Sequence, residues 1–156
     1  MAEKIELRRG LKDVYIDRSK ASFIDGKEGT LIYQGYNIHD LAENSTFEET
    51  IYLLLYGKLP TQNELDDFEK DLRSNREIPD SVIEIIKMIK NAHPMDVLRT
   101  AVSALSAHDP EADDNSIEAT LRKGIRLTAQ APTIVTTHAR ILEGKDPVAS
   151  DPELNQ

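Results

Sequence analysis

The sequence contains no cysteine and no tryptophan among its 156 residues. The missing cysteines exclude disulfide bonds, a thiolate nucleophile and cysteine-ligated zinc. They also favour a reducing compartment, so we expect a cytoplasmic protein. No apolar run approaches the roughly 20 residues that a membrane-spanning helix needs, and the first residues, MAEKIELRRG, show no apolar signal-peptide core. We therefore expect neither a membrane segment nor a secretory leader.

Positive charge is also scarce in this chain. Lys and Arg number 19 against 28 Asp and Glu, which gives a net charge of −9. Non-specific binding to nucleic acid depends on a surplus of cations that replace the counterions of the phosphates. We therefore expect no nucleic-acid partner. The hydrophobic content of 39% is sufficient for a core, and the length fits one domain.

A β-hairpin is predicted near the N-terminus, at residues 21–34. Its arms are ASFI and TLIY, and the DGKEG between them supplies turn residues. This loop is too short and too acidic to cradle a phosphate, so we interpret the hairpin as structural. Residues 1–10 are predicted to form a tail, residues 11–144 a partial helical domain that includes the hairpin, and residues 145–156 a second, polar tail.

Amphipathic helices are predicted for most of the remaining chain. N-caps are expected at the starts of three helices: Asn37, Ser45 or Thr46, and Thr61. Glu64 completes a capping box with Thr61, and Gly57 is expected to end the second helix. Apolar residues keep helical spacing through several further segments. The predicted fold class is all-α and multi-helical, with a short N-terminal β-hairpin.

The stretch HPMDVLRTAVSALSAHDP, residues 93–110, is predicted to begin as a helix at Pro94. Its large apolar side chains fall at helical spacing: Met95, Leu98, Val102 and Leu105. Small side chains at Ala101 and Ala104 lie beside this stripe and permit close approach of another helix. Such a helix is expected to be covered on more than one side, in a core or at a subunit interface.

The polar residues of the same stretch are either catalytic or only cap and stabilise the helix. Their spacing does not produce a nucleophile, a base and an orienting group. Asp96 and Arg99 are one turn apart and are expected to pair on the surface. His93 is interpreted as a capping or packing residue, and His108 as a residue at a helix C-terminus. None of the four histidines is predicted to be catalytic: His39, His93, His108 and His138.

The next helix, SIEATLRKGIRLTAQ, has two faces of different character. One is formed by Ile117, Leu121, Gly124, Ile125 and Thr128. Because glycine costs about 1 kcal/mol in a helix interior, a close contact is expected at Gly124. The opposite face carries Arg122, Lys123 and Arg126, and is either an anion-binding surface or merely solvated.

An acidic segment precedes this helix, and a proline follows its two-faced part. DPEADDN, residues 109–115, lacks the glycine and glutamate of a calcium loop and is interpreted as a solvated acidic loop. Asn115 or Ser116 is expected to cap the helix that follows. Pro132 is expected to kink or break the helix.

Three stretches carry a resemblance to a known family: GLKDVYIDRSKASFIDGKEGTLIYQGYNIHDLAENSTFEETIYLLLYGKLPT, HPMDVLRTAVSAL and DDNSIEATLRKGIRLTAQAPTIVTTHARI. Their order and spacing resemble the N-terminal part of a citrate synthase of the shorter, prokaryotic type. The resemblance runs from about Gly10 to Pro147, and 2-methylcitrate synthases share these stretches. It implies a large-domain portion that ends before the small domain of the family.

The resemblance further implies an obligate homodimer that condenses oxaloacetate with acetyl-CoA. In the family, one histidine and one aspartate enolise the acetyl group, a second histidine polarises the ketone, and arginines bind the carboxylates. All of these lie in the later half of a family member, so none is assigned to a position here. We expect this chain alone to be inactive and to bind no cofactor, with acetyl-CoA as a substrate of the complete enzyme.

The resemblance also implies that the helix at residues 94–107 and the one after it pack against their mates across the dimer axis. The residues predicted at this interface are Met95, Leu98, Ala101, Val102, Ala104, Leu105, Leu121, Gly124 and Ile125. Two hypotheses follow. The preferred one is a fragment of a citrate synthase, or one part of a split (2-methyl)citrate synthase, that pairs as a homodimer or with a chain carrying the remaining domain. The alternative is a non-catalytic helical dimerisation module.

Overall fold

The structure, a computed structural model, describes Gly10, Val14 and residues 17–155. In that part of the chain a small antiparallel sheet is followed by six α-helices, which confirms the predicted mostly helical fold. The strands are β1 (Ser22–Asp25), β2 (Thr30–Tyr33) and β3 (Tyr36–Asn37), and the helices are α1 (Ile38–Asn44), α2 (Phe47–Tyr56), α3 (Gln62–Ser74), α4 (Asp80–Met88), α5 (Pro94–Leu105) and α6 (Ile117–Leu142). The predicted tail at residues 1–10 lies outside the described residues except for Gly10. None of the described helices is long and apolar enough to cross a membrane.

The predicted hairpin is present, and a third short strand extends it. β1 pairs antiparallel with β2, and β2 pairs antiparallel with β3. Gln34 and Gly35 have positive φ angles of 49° and 93°, as the two-residue turns between twisted strands require. β3 leads directly into α1, where the side chain of Asn37 accepts a hydrogen bond from the backbone N–H of His39 at 2.9 Å. The sequence does not predict β3, because two residues are too few to show an alternating pattern.

Local hydrogen bonds determine where α2 and α3 begin. The Thr46 hydroxyl accepts from the backbone N–H of Glu49 at 3.2 Å, and the Glu49 carboxylate accepts from that of Thr46 at 2.6 Å. Thr61 and Glu64 form the same capping box at α3. Gly57 ends α2 with a φ of 77°, a left-handed conformation that glycine adopts at little cost. The caps predicted from the sequence are therefore confirmed.

Two hydrophobic clusters form the core. The aromatic core lies between α2, α3 and the first half of α6, and consists of Ile51, Tyr52, Phe68, Leu72, Ile125 and Ala129. The Tyr52 and Phe68 rings meet edge to face with their centroids 5.3 Å apart. The aliphatic core lies between α4, α5 and the second half of α6, and consists of Val82, Ile86, Val97, Ala101, Leu105, Ile134 and Ile141. α6 thus contributes to both cores and joins them.

α6 continues through Pro132, so of the two predicted alternatives, a kink or a break, the break is excluded. The helix runs from Ile117 to Leu142 with the proline inside it. A proline in a helix interior costs about 3 kcal/mol through a lost hydrogen bond and a steric clash. Burial of Ile125 before it, and of Ile134 and Ile141 after it, offsets this cost, because a buried isoleucine contributes about 1.5–3 kcal/mol. Packing on both cores keeps the helix continuous.

Candidate functional site

The N-terminal end of α5 is shaped by His93 and Pro94. Nδ1 of His93 accepts a hydrogen bond from the backbone N–H of Met95 at 3.2 Å. Pro94 occupies the first helical turn, where its missing N–H leaves no carbonyl unpaired. Asp96 and Arg99 pair on the surface at 3.0 Å. The capping role of His93 and the predicted ion pair are both confirmed.

The buried face of α5 differs from the predicted stripe. The face that packs into the aliphatic core consists of residues four apart: Val97, Ala101 and Leu105. Leu98 and Val102 flank this face and are half-buried, whereas Met95 is 62% exposed. Successive helical residues turn by about 100°, which places Met95 about 120° from Ala101 around the helix axis. Met95 therefore does not share the face that α5 buries within the chain, and its place at a subunit interface stays a prediction.

The nine residues predicted at a subunit interface divide into two groups. Three are buried inside the chain: Ala101, Leu105 and Ile125. The remaining six keep part of their surface accessible: Met95, Leu98, Val102, Ala104, Leu121 and Gly124. A partner could contact the second group without rearrangement of the core. The interface itself stays a prediction.

Gly124 faces α2 of the same chain. A Cβ atom at this position would lie 3.6 Å from Cδ2 of Leu55, which is a favourable van der Waals separation. Leu55 is partly buried and packs against the aromatic core. The neighbour expected at Gly124 is therefore found within the chain, but a methyl group would fit there.

The acidic connection between α5 and α6, residues 109–116, lies on the basic face of α6. Arg126 donates to a carboxylate oxygen of Asp109 at 2.8 Å and to Glu111 at 3.0 Å. Nε of Arg122 donates to Glu111 at 2.9 Å. Residues 112–116 are exposed, as the interpretation as a solvated acidic loop predicts, but Asp109 and Glu111 are half-buried. Arg122 and Arg126 are therefore not merely solvated, because carboxylates of the connection bind them.

Backbone contacts complete this arrangement. Nζ of Lys123 donates to the carbonyl oxygen of Asp114 at 2.5 Å. The Asp114 carboxylate accepts from the backbone N–H of Ser116 at 2.8 Å. The Ser116 hydroxyl in turn accepts from the backbone N–H of Ala119 at 3.2 Å. Ser116 is therefore the N-cap of α6, one of the two residues that the sequence proposed.

The ion pairs hold the carboxylates of the connection in their charged form. A hydrogen bond from Arg126 is the main cause that lowers the pKa of Asp109. A hydrogen bond from Arg122 is the main cause that lowers the pKa of Glu111. The side chains of Arg126 and Asp109 are 26% and 18% exposed, so salt screens this pair less than one on the open surface. Sequence reasoning missed these pairs because helical periodicity relates only residues three or four apart.

His108, His138 and His39 occupy three separate places. Nε2 of His108 lies 2.8 Å from the Ser81 hydroxyl and joins the end of α5 to the start of α4. Nε2 of His138 lies 2.9 Å from the carbonyl oxygen of Lys90, and His138 is 5% exposed. His39 is exposed near the start of α1. Within residues 17–155 no three His, Asp or Glu side chains are grouped so that they could hold a metal ion.

A cavity of about 660 Å³ lies beside the acidic connection. Its walls come from the connection between α3 and α4, the second half of α5, the acidic connection and the middle of α6. Val102, Leu105 and Leu127 contribute apolar surface, and Asp109 and Arg126 line another part. The surface of the cavity is mainly apolar, although half of its lining residues, Lys123 and Gln130 among them, carry polar side chains.

Comparison with known proteins identifies the family. A family model described as "Citrate synthase, C-terminal domain" matches residues 10–156. The chain belongs to the citrate synthase family. The citrate synthase of Haloferax volcanii is 43% identical over 155 residues, which cover 96% of this chain and 41% of the relative. A 2-methylcitrate synthase of Mycobacterium tuberculosis is 38% identical over 148 residues, which cover 94% of this chain and 37% of the relative.

A solved structure of the same family agrees with this assignment. The crystal structure of citrate synthase from Pyrobaculum aerophilum matches with a TM-score of 0.88 and 37% identity, covering 94% of this chain and 39% of that one. The chain therefore spans less than half the length of the relatives that it matches. The family resemblance and the helical fold are confirmed. The matches include both enzyme names, so they do not distinguish between the two activities.

Proposed function

We propose that this chain forms part of the helical scaffold of a citrate synthase-type acyltransferase, which condenses acetyl-CoA with oxaloacetate to give citrate in the tricarboxylic acid cycle. The observation that carries the proposal is the family match over residues 10–156. A 2-methylcitrate synthase is the variant of the same proposal that the relative at 38% identity supports. The lack of cysteine supports a cytoplasmic location.

As part of this proposal, the chain alone does not catalyse the reaction. Removal of a proton from a thioester requires a positioned base and a group that stabilises the developing oxyanion. Three histidines instead hold structural contacts, with His93 at the cap of α5, His108 at Ser81 and His138 at the carbonyl of Lys90. These contacts support a scaffold in which the reacting groups come from another part of the assembly. Acetyl-CoA is then a substrate of the complete enzyme rather than a ligand of this chain.

An assay of thiol release tests the proposal. The purified chain is incubated with oxaloacetate and either acetyl-CoA or propionyl-CoA. We expect no release above the rate without protein. Addition of a polypeptide that carries the remaining region of a family member is expected to produce activity. The preferred acyl-CoA would then distinguish a citrate synthase from a 2-methylcitrate synthase. Turnover by the chain alone would contradict the proposal that the reacting groups come from another polypeptide. No turnover by the pair would contradict the proposed reaction.

Self-association through α5 and α6 is a second candidate function, and exposed apolar side chains favour it. Met95 is 62% exposed, and Leu98 and Val102 on the same helix keep part of their surface accessible. Extended apolar surface on a folded protein is typical of sites that bind another chain. In this proposal the chain forms a homodimer, or pairs with a chain carrying the remaining domain, through the accessible group of predicted interface residues. Such a module would need no active site.

Sedimentation velocity at several concentrations tests the association. Met95→Glu and Ala104→Glu place a charge in the predicted interface and are expected to shift the chain towards the monomer. Met88→Glu is the matched control, because Met88 is 76% exposed on α4 and was not predicted at the interface. Ala101 is unsuitable, since a charge at a fully buried position would disrupt the core. The proposal fails if both interface variants sediment as the unmodified chain does.

A further inference from the structure

The segment after α6 turns back onto α3, where Arg76 binds it. Arg76 follows α3 and is 6% exposed. One of its terminal nitrogens, Nη1, donates to the carbonyl oxygen of Asp151 at 3.2 Å and to that of Leu154 at 2.8 Å. The polar segment that the sequence predicts as a tail therefore has no helix or strand but is held in a definite place.

The bound segment is a turn with its own hydrogen bonds. The Asp151 carboxylate accepts from the backbone N–H of Glu153 at 2.9 Å, and the Asp151 carbonyl accepts from the backbone N–H of Leu154 at 3.4 Å. These bonds orient the two carbonyl groups of Asp151 and Leu154 toward Arg76. Charged donors make hydrogen bonds about twice as strong as neutral ones, so the two bonds from the guanidinium are stronger than the neutral bond between Leu154 and Asp151 within the turn.

A second contact lies at the end of the turn. Nη1 of Arg73 donates to the side-chain oxygen of Asn155 at 2.7 Å. The Asn155 amide donates to the Glu69 carboxylate at 3.2 Å, and Arg73 and Glu69 pair with each other at 3.3 Å. Two side chains of α3 thus support the segment beside Arg76.

Apolar packing contributes little to this contact. Residues 151–155 are all exposed, and the Leu154 residue is 63% exposed. The segment therefore has no buried side chain to anchor it. Its position depends on polar contacts, and the two acceptors of Nη1 of Arg76, on Asp151 and Leu154, are backbone oxygens, which every residue type provides.

The base of the contact is rigid. Arg76 belongs to the connection between α3 and α4, and the side chain of Gln130 on α6 donates to the carbonyl oxygen of Glu77 at 3.0 Å. The neighbouring Ile78 packs against the aliphatic core. The backbone next to Arg76 is therefore anchored to α6 and to the aliphatic core, whereas the turn that Arg76 binds is exposed.

We propose that Arg76 is a latch that holds residues 151–155 as a strap on α3, and that it recognises the backbone conformation of the strap rather than its side chains. The strap opens as one unit when the latch is lost, and the helices keep their packing. Opening exposes the end of α3 that carries Glu69 and Arg73.

Hydrogen–deuterium exchange of the full chain tests the latch. In Arg76→Gln, exchange at the backbone amides of Glu153 and Leu154 is expected to rise on the order of tenfold. Exchange in α3 and α6 should not change. Arg99→Gln is the matched control, because the Arg99 side chain is 79% exposed and pairs only across one helical turn. Unchanged exchange at the strap in Arg76→Gln would overturn the proposal.

Further variants separate a latch from a general loss of structure. Glu153→Ala and Leu154→Ala remove side chains but keep the backbone oxygens, and are expected to leave strap exchange within about twofold of the unmodified chain. A rise as large as that of Arg76→Gln would overturn backbone recognition. If far-UV circular dichroism shows that Arg76→Gln has lost helix, Arg76→Lys serves instead. Lysine keeps the charge without the planar fork, and faster strap exchange with intact helices is the expected result. Unchanged strap exchange in that folded variant would equally overturn the proposal.

Discussion

The aromatic core and the aliphatic core are bordered by different kinds of contact. Beside the aromatic core, α2 and α3 begin at capping boxes that join residues three apart. Beside the aliphatic core, α4 has no side-chain cap at its N-cap residue, Pro79, and the connection after α5 is held by Arg122 and Arg126 across 11 to 17 residues. The starts of α2 and α3 are therefore built by local sequence, whereas the connection after α5 is held by distant pairing. α6 joins both regions in a single helix.

Truncation of each core should have the largest effect on stability. Phe68→Ala in the aromatic core is expected to cost about 3–5 kcal/mol and Ile86→Ala in the aliphatic core about 2–5 kcal/mol. Because α6 supplies residues to both cores, each variant should shift one common unfolding transition in urea. Met88→Ala, at a 76% exposed position, is the control and should change stability by less than about 0.5 kcal/mol. Two separate transitions would show that α6 does not couple the cores.

Loss of the distant pairing should have an intermediate effect. Arg126→Ala removes the main partner of Asp109 and one of the two arginines that bind Glu111, and is expected to cost about 1–2 kcal/mol in urea unfolding. Arg99→Ala removes an exposed pair within one helix and should cost less than about 0.5 kcal/mol. Added salt should reduce the cost of Arg99→Ala more than that of Arg126→Ala, because the Arg126 side chain is only 26% exposed. Equal costs for the two variants would remove the distinction between local and distant pairs.

The smallest effect is expected for the capping box at the start of α3, and it depends on pH. A hydrogen bond from Lys58, followed by those from Thr61, lowers the pKa of Glu64 from 4.5 to about 2. A carboxyl group whose pKa is lower in the folded state stabilises the fold above its unfolded pKa, and this contribution disappears as the pH falls toward the folded pKa. Between pH 4.5 and about 2, the unmodified chain should therefore lose stability more steeply than Glu64→Gln.

Thermal midpoints measured on both chains at falling pH check this prediction. The difference between the chains should be constant above about pH 6, where the carboxyl group is charged in both the folded and the unfolded state. Asp109→Asn offers the comparison for a pair of residues distant in the chain, because Arg126 lowers the pKa of Asp109 in the same direction. Parallel pH profiles for the unmodified chain and Glu64→Gln would show that Glu64 does not contribute in this way.

Particular residues show how far sequence reasoning reached. The cap at Thr61, the helix end at Gly57 and the capping role of His93 were all predictable, because each bond joins residues close in the chain. Periodicity placed α5 but did not show which face is buried within the chain, since Met95 and Val97 are both apolar and the pattern alone does not show which one meets a neighbour. Pro132 was overestimated as a breaker because the burial on either side of it depends on two cores that do not appear in a local window.

By itself, the sequence determined the family, the mostly helical fold and the ends of α2 and α3, because these follow from ordered motifs and from bonds between residues three or four apart. Only the tertiary structure decided that Arg126 binds the acidic connection and that Arg76 binds residues 151 and 154, at separations of 17, 75 and 78 residues. Charged side chains at such distances meet only after packing of the cores has brought their backbones together. Their partners are therefore a property of the packed helices and not of any one segment.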